Sequence, residues 1–123
     1  MHIDKYKQPD GTYLDDKGSS YQDAETFLQD KYLNHCYCGN PDINIKYVAD
    51  VLAHIDSRDT FKSKTRYDEW IAAGNHLYPN DTIRNFVWYV MDSLRFTEHG
   101  GCIPGWLTDK GREFMEDVKE LYA

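Results

Sequence analysis

Between Asp81 and Leu94 the segment DTIRNFVWYVMDSL repeats large apolar residues, Ile83, Phe86, Val87, Val90, Met91 and Leu94, at intervals of three and four. No other feature constrains the chain as much, because only an α-helix brings such positions onto one side. A strand would divide them between two faces. The spacing predicts a helix with this stripe turned to a core, and Asp81 is placed to cap its first turn by accepting a backbone amide hydrogen bond. Trp88, Tyr89 and Asn85 fall outside the stripe. A helix apolar on a second side is either covered twice by its own chain or offers that side to a partner. These three residues are therefore the candidate partner-binding set, for a protein partner or for a homodimer.

Similar spacing predicts about five helices in all. Ser19 and Gln22 stand in capping-box relation ahead of Tyr21, Ala24, Phe27, Leu28 and Tyr32, which carry a first helix to about Leu33. Gly39 can close that region and Pro41 can open the next, where Ile45, Val48, Val51, Leu52 and Ile55 keep core spacing. Thr65 with Asp68 opens a short third helix carrying Tyr67, Trp70 and Ile71 and ending at Gly74. After the Asp81–Leu94 helix, Phe96 to Glu98 and Ile103 to Leu107 can form a short hairpin across Gly100 and Gly101, with Phe96 paired to Trp106. Thr108 then caps a last helix with Phe114, Met115, Val118 and Leu121 on one face. Residues 1–18 read as a polar arm or hairpin, with a turn at QPDG and short strands near Ile3 and Tyr13. The expected fold class is mainly α with minor β, a compact helical domain spanning 1–123.

A chain of 123 residues fits one domain, and ten tyrosines, five phenylalanines and three tryptophans argue for a packed chain over a disordered one. No apolar run reaches the roughly 18 residues that suggest a membrane span, and the first residues lack the apolar core of a signal peptide. The expectation is a soluble, cytoplasmic protein without membrane association, its three cysteines reduced.

The net charge of −7 bears most directly on partners. Binding through phosphate neutralisation calls for a basic face, so DNA would need a local patch. Arg58, Lys62, Lys64 and Arg66 in RDTFKSKTR, joined by Arg84, form the candidate nucleic-acid-binding set. His35, Cys36, Cys38, His99 and Cys102 are zinc-ligand types and make a weak candidate metal set. Structural zinc sites favour two cysteines separated by two to four residues, whereas Cys36 and Cys38 are separated by Tyr37 alone. No phosphate-cradling glycine loop, nucleophile elbow or HExxH helix is present. No enzyme activity and no cofactor is expected.

The run from helix through LRFTEHGG, a short hairpin and WLTDKGREFMEDV resembles the end of winged-helix domains. In those domains a leucine-threonine-x-x-glycine signature opens the helix after the wing, matched here by Leu107, Thr108 and Gly111. The resemblance covers 65–123 and implies that residues 81–95 are the recognition helix, with 65–73 as its partner. Two features depart from a DNA-binding wing. No Arg or Lys stands between Phe96 and Lys110, and the recognition helix carries only Arg84 and Arg95. Over its whole length the chain also resembles small bacteriophage and prophage proteins, through CYCGNP and TEHGG with WLTDKG. That likeness, together with the acidic charge, implies a small accessory or inhibitor protein acting on a macromolecular partner, a protein being favoured, with host nucleic-acid-handling or defence proteins among the candidates. A winged-helix transcriptional regulator is the alternative, and a small zinc-binding structural protein the second.

Overall fold

The computed structural model describes residues 1–33, 43–58 and 67–123. Among these are five α-helices, α1 (Ala24–Leu33), α2 (Ile45–Asp56), α3 (Tyr67–Ala73), α4 (Asp81–Ser93) and α5 (Asp109–Leu121), so the fold is mainly α. Two antiparallel hairpins complete it: β1 (Tyr13–Leu14) with β2 (Ser20–Tyr21), and β3 (Thr97–Glu98) with β4 (Trp106–Leu107). No described helix is long and apolar enough to cross a membrane.

The centre is α2 packed along α5. Ile45, Val48, Val51, Leu52 and Ile55 are all buried at the spacing the sequence predicts, and they meet Phe114, Met115 and Val118 of α5 in one apolar core. Asn44 starts α2 by accepting the Lys46 and Tyr47 amides at 2.9 and 3.3 Å. Thr108 starts α5 as expected, its hydroxyl accepting the Gly111 amide at 3.1 Å. Two other helix starts differ from expectation. α1 begins at Ala24 with Asp23 accepting the Thr26 amide, because Ser20 and Tyr21 are spent in β2. α4 is capped by Asn80 and not by Asp81; Asn80 accepts the Ile83 amide at 2.9 Å.

The expected arm is anchored to the core. Tyr6, Tyr13 and Tyr21 surround Phe27 of α1 at ring distances of 5.2, 5.4 and 5.2 Å, which accounts for three of the tyrosines. Ile3 lies in a short 3-10 helix, His2–Tyr6, and is fully buried. The buried Asp117 carboxylate of α5 caps that helix, accepting the His2 amide at 2.6 Å and the Ile3 amide at 3.0 Å.

The β3–β4 hairpin is shorter than expected and differently paired. Thr97 faces Leu107 and Glu98 faces Trp106, while Phe96 turns inward to stack on Phe114 at 4.8 Å. The hairpin sits tightly on α5: a Cβ on Gly111 would collide with the Phe96 carbonyl oxygen, and one on Gly105 with that of Glu98. Gly100 and Gly101, by contrast, have open space where a side chain would stand.

Two variants probe these anchors. Asp117→Ala orphans two amides, each worth about 1–3 kcal/mol when left unpaired in the interior, and should lower Tm by roughly 10 °C with loss of hydrogen-exchange protection at Ile3. Gly111→Ala should destabilise the protein in thermal unfolding, although alanine is the better helix former by about 1 kcal/mol.

Candidate interaction surface

A buried aromatic network sets how α4 lies on the protein. Trp88 is 2% exposed and stacks on Trp70 of α3 at 5.3 Å, which in turn stacks on His54 of α2 at 4.7 Å. The hydrogen bonds run in one sense. The Trp70 carbonyl can only accept, so His54 Nε2 carries the proton and donates to it at 2.8 Å. His54 Nδ1 then accepts from the Tyr78 hydroxyl at 3.1 Å, and that hydroxyl accepts from Trp88 Nε1 at 3.0 Å. Trp70 Nε1 donates to the His54 carbonyl at 2.8 Å, closing the set. Gly74 is required beside it, since a Cβ there would strike the His54 ring.

With Trp88 fixed inward, α4 is rotated from the expected setting. Trp88, Met91 and Leu94 are buried, and the Arg84 guanidinium lies over the Trp88 ring at 5.1 Å. Ile83 and Phe86, expected in the core, are 39% and 64% exposed. Tyr89 is 62% exposed and Asn85 is exposed beside it. Of the three candidate partner residues, then, Tyr89 and Asn85 face outward and Trp88 does not. Phe86 and Ile83 take its place.

The outward side of α4 runs on to the hairpin. Asp92, Ser93, Arg95, Glu98, His99 and Trp106 line a groove of about 530 Å³, with Trp106 56% exposed at its edge. His99 Nδ1 lies 2.9 Å from Asp92 Oδ1, tying the hairpin to the end of α4.

The candidate basic set fares differently. Arg58 donates to the Pro104 carbonyl at 2.9 Å and lies over the Trp70 ring at 5.5 Å, holding α2 to the hairpin. Arg84 pairs with Asp81 at 3.1 Å and is largely covered. Both guanidinium groups are committed within the chain. Lys62, Lys64 and Arg66 lie outside the described residues, as do His35, Cys36, Cys38 and Thr65. Cys102 is exposed as a free thiol and His99 is engaged with Asp92. Among the described residues no three His, Cys, Asp or Glu side chains converge for a metal ion.

Sequence reasoning missed Ile83, Phe86 and Trp106 as surface residues. The signal was present in the polar tips: Trp88 carries an N–H that needs an acceptor when buried, and Tyr78 and His54 can supply one between them. No family model matches the chain, and neither a curated protein nor a solved structure matches it.

Burial, more than the nearby charges of His76 and Arg84, pushes the His54 imidazole below its usual 6.5, against the opposing pull of the Trp70 carbonyl. A depressed value means that the folded protein binds the proton less readily than the unfolded chain. The His54 contribution to stability is therefore complete above pH 6.5 and declines as pH falls below it. An NMR titration of this ring should give a midpoint under 6.5; a midpoint above it would contradict the bond pattern.

Proposed function

We propose that this chain is a non-catalytic binding protein whose working surface is the outward side of α4 together with Trp106 of the hairpin, and whose partner is a protein. One observation carries the reading: Ile83, Phe86, Tyr89 and Trp106 stand exposed along one helix and the groove that continues it, while Trp70, Trp88, Phe27, Phe96 and Phe114 are buried. Aromatic side chains are enriched at the centres of protein interfaces, where they bury large area at low entropic cost. The rim sets Asp92 and Glu98 beside Arg95, a mixed-charge edge of the kind that orients a partner more than it holds one. The likeness to small phage proteins supports an accessory or inhibitor role on a host protein that handles nucleic acid or serves defence.

A second reading, a winged-helix regulator on DNA, draws support from the order α3, α4, hairpin, α5. The chemistry favours it less, since Arg58 and Arg84 are engaged internally and the hairpin carries Glu98 and His99 where a wing usually carries cations.

The test is photo-crosslinking from benzoylphenylalanine placed at Tyr89, with the exposed Lys17 position as control. A specific protein adduct through position 89 is the expected outcome, lost when Phe86 is changed to Ser. Adducts no different from those of the control would refute the reading. In parallel, duplex DNA binding that weakens steeply with salt would transfer the surface to the second reading. Because both side chains are exposed, Phe86→Ser with Tyr89→Ser should change stability by less than about 1 kcal/mol while weakening partner binding at least about tenfold. Trp88→Ala is the wrong probe, since emptying that site costs about 3–5 kcal/mol of fold stability.

A further inference from the structure

We propose that the outward stripe of α4 seats a second copy of this chain, the two α4 helices lying antiparallel. The inference rests on the reading of this side as a binding surface and names its occupant. Thr82, Phe86, Tyr89 and Ser93 are all exposed and follow one another at intervals of four, three and four residues, the spacing of a seam between two helices.

The stripe is a palindrome in size and polarity. Two hydroxyl residues stand at its ends and two aromatic residues at its middle. Turned end for end about the point midway between Phe86 and Tyr89, it lays each Phe86 on the Tyr89 of the other copy and each Thr82 against the other Ser93. A surface that matches itself under a two-fold rotation is what an isologous dimer requires. Ile83 and the half-buried Val90 widen the apolar strip along one flank.

Charge selects the direction. Asp81 is exposed at the first turn of α4 and Arg95 is exposed just beyond its last. Antiparallel pairing brings each Asp81 toward the Arg95 of the other copy, whereas parallel pairing would oppose Asp81 to Asp81 and Arg95 to Arg95. The helix dipoles favour the same choice, since each positive N-terminal end then meets a negative C-terminal end. The stripe itself carries no charge, and repulsion between two chains of net −7 is screened beyond about 8 Å at physiological ionic strength.

The experiment is sedimentation velocity on the full chain up to about 200 µM, a range that reveals micromolar self-association. It is joined by disulfide trapping in a chain carrying Cys36→Ser, Cys38→Ser and Cys102→Ser. The wild type should gain mass toward a dimer with concentration, and Phe86→Ser with Tyr89→Ser should raise the dissociation constant at least about tenfold. Thr82→Cys mixed with Ser93→Cys should give disulfide-linked dimers that neither variant gives alone. A monomer throughout the range, a dimer indifferent to the two serines, or cross-links formed by either cysteine variant alone would each overturn the proposal. A monomer that still forms a specific adduct with a different protein through position 89 refutes the second copy and leaves the surface reading standing. A monomer with no adduct at all refutes both.

Discussion

The rotation of α4 depends on a single chain of hydrogen bonds, Trp88 to Tyr78 to His54 to the Trp70 carbonyl, with every donor assigned. Each bond taken alone is worth only about 1 kcal/mol net. Their joint effect is directional, because a buried indole N–H without an acceptor would cost more than the bond contributes. The two stacked indoles and the imidazole occupy one compact layer between α2, α3 and α4, so turning α4 by one residue would break the bonds and the stacking together. That is why Trp88 faces in, and why Phe86 and Tyr89 are left facing out.

Much of the fold was legible from spacing. The core faces of α2 and α5 were read correctly because Ile45, Val48, Val51, Leu52 and Ile55, and then Phe114, Met115 and Val118, offer no competing apolar side. α4 offered two, and hydrophobicity alone cannot choose between Phe86 and Trp88. Arg84 stands at the head of the inner row, where its stem and guanidinium cover Trp88 while its charge meets Asp81. Tertiary partners far along the chain, His54 and Tyr78, decided the matter. At the N-terminus the hairpin near Tyr13 was legible, but Ile3 lies in a 3-10 helix and not a strand: a single buried carboxylate, Asp117, ties down that backbone from more than a hundred residues away, and no local pattern announces such a cap.

The candidate site divides in the same way. Tyr89 and Asn85 face outward, as their place off the expected core stripe implies, whereas Arg58 and Arg84 looked available only because their internal acceptors, the Pro104 carbonyl and Asp81, were invisible at the level of composition. With the Arg58 and Arg84 guanidinium groups bracing elements against aromatic rings, Arg95 is left exposed between the end of α4 and the hairpin, beside Asp92 and Glu98. The surface that results is aromatic with a mixed-charge edge.

The β3–β4 hairpin combines a locked base with an unencumbered tip. Gly105 and Gly111 admit no side chain because carbonyl oxygens of the neighbouring backbone fill the space, while Gly100 and Gly101 meet nothing. Sequence drift is therefore partitioned within a dozen residues: the base must stay glycine for the fold to survive, and the tip can accept new side chains or added length at little cost. The hairpin is thus an evolvable module, able to acquire a new specificity beside Trp106 without renegotiating the core beneath it.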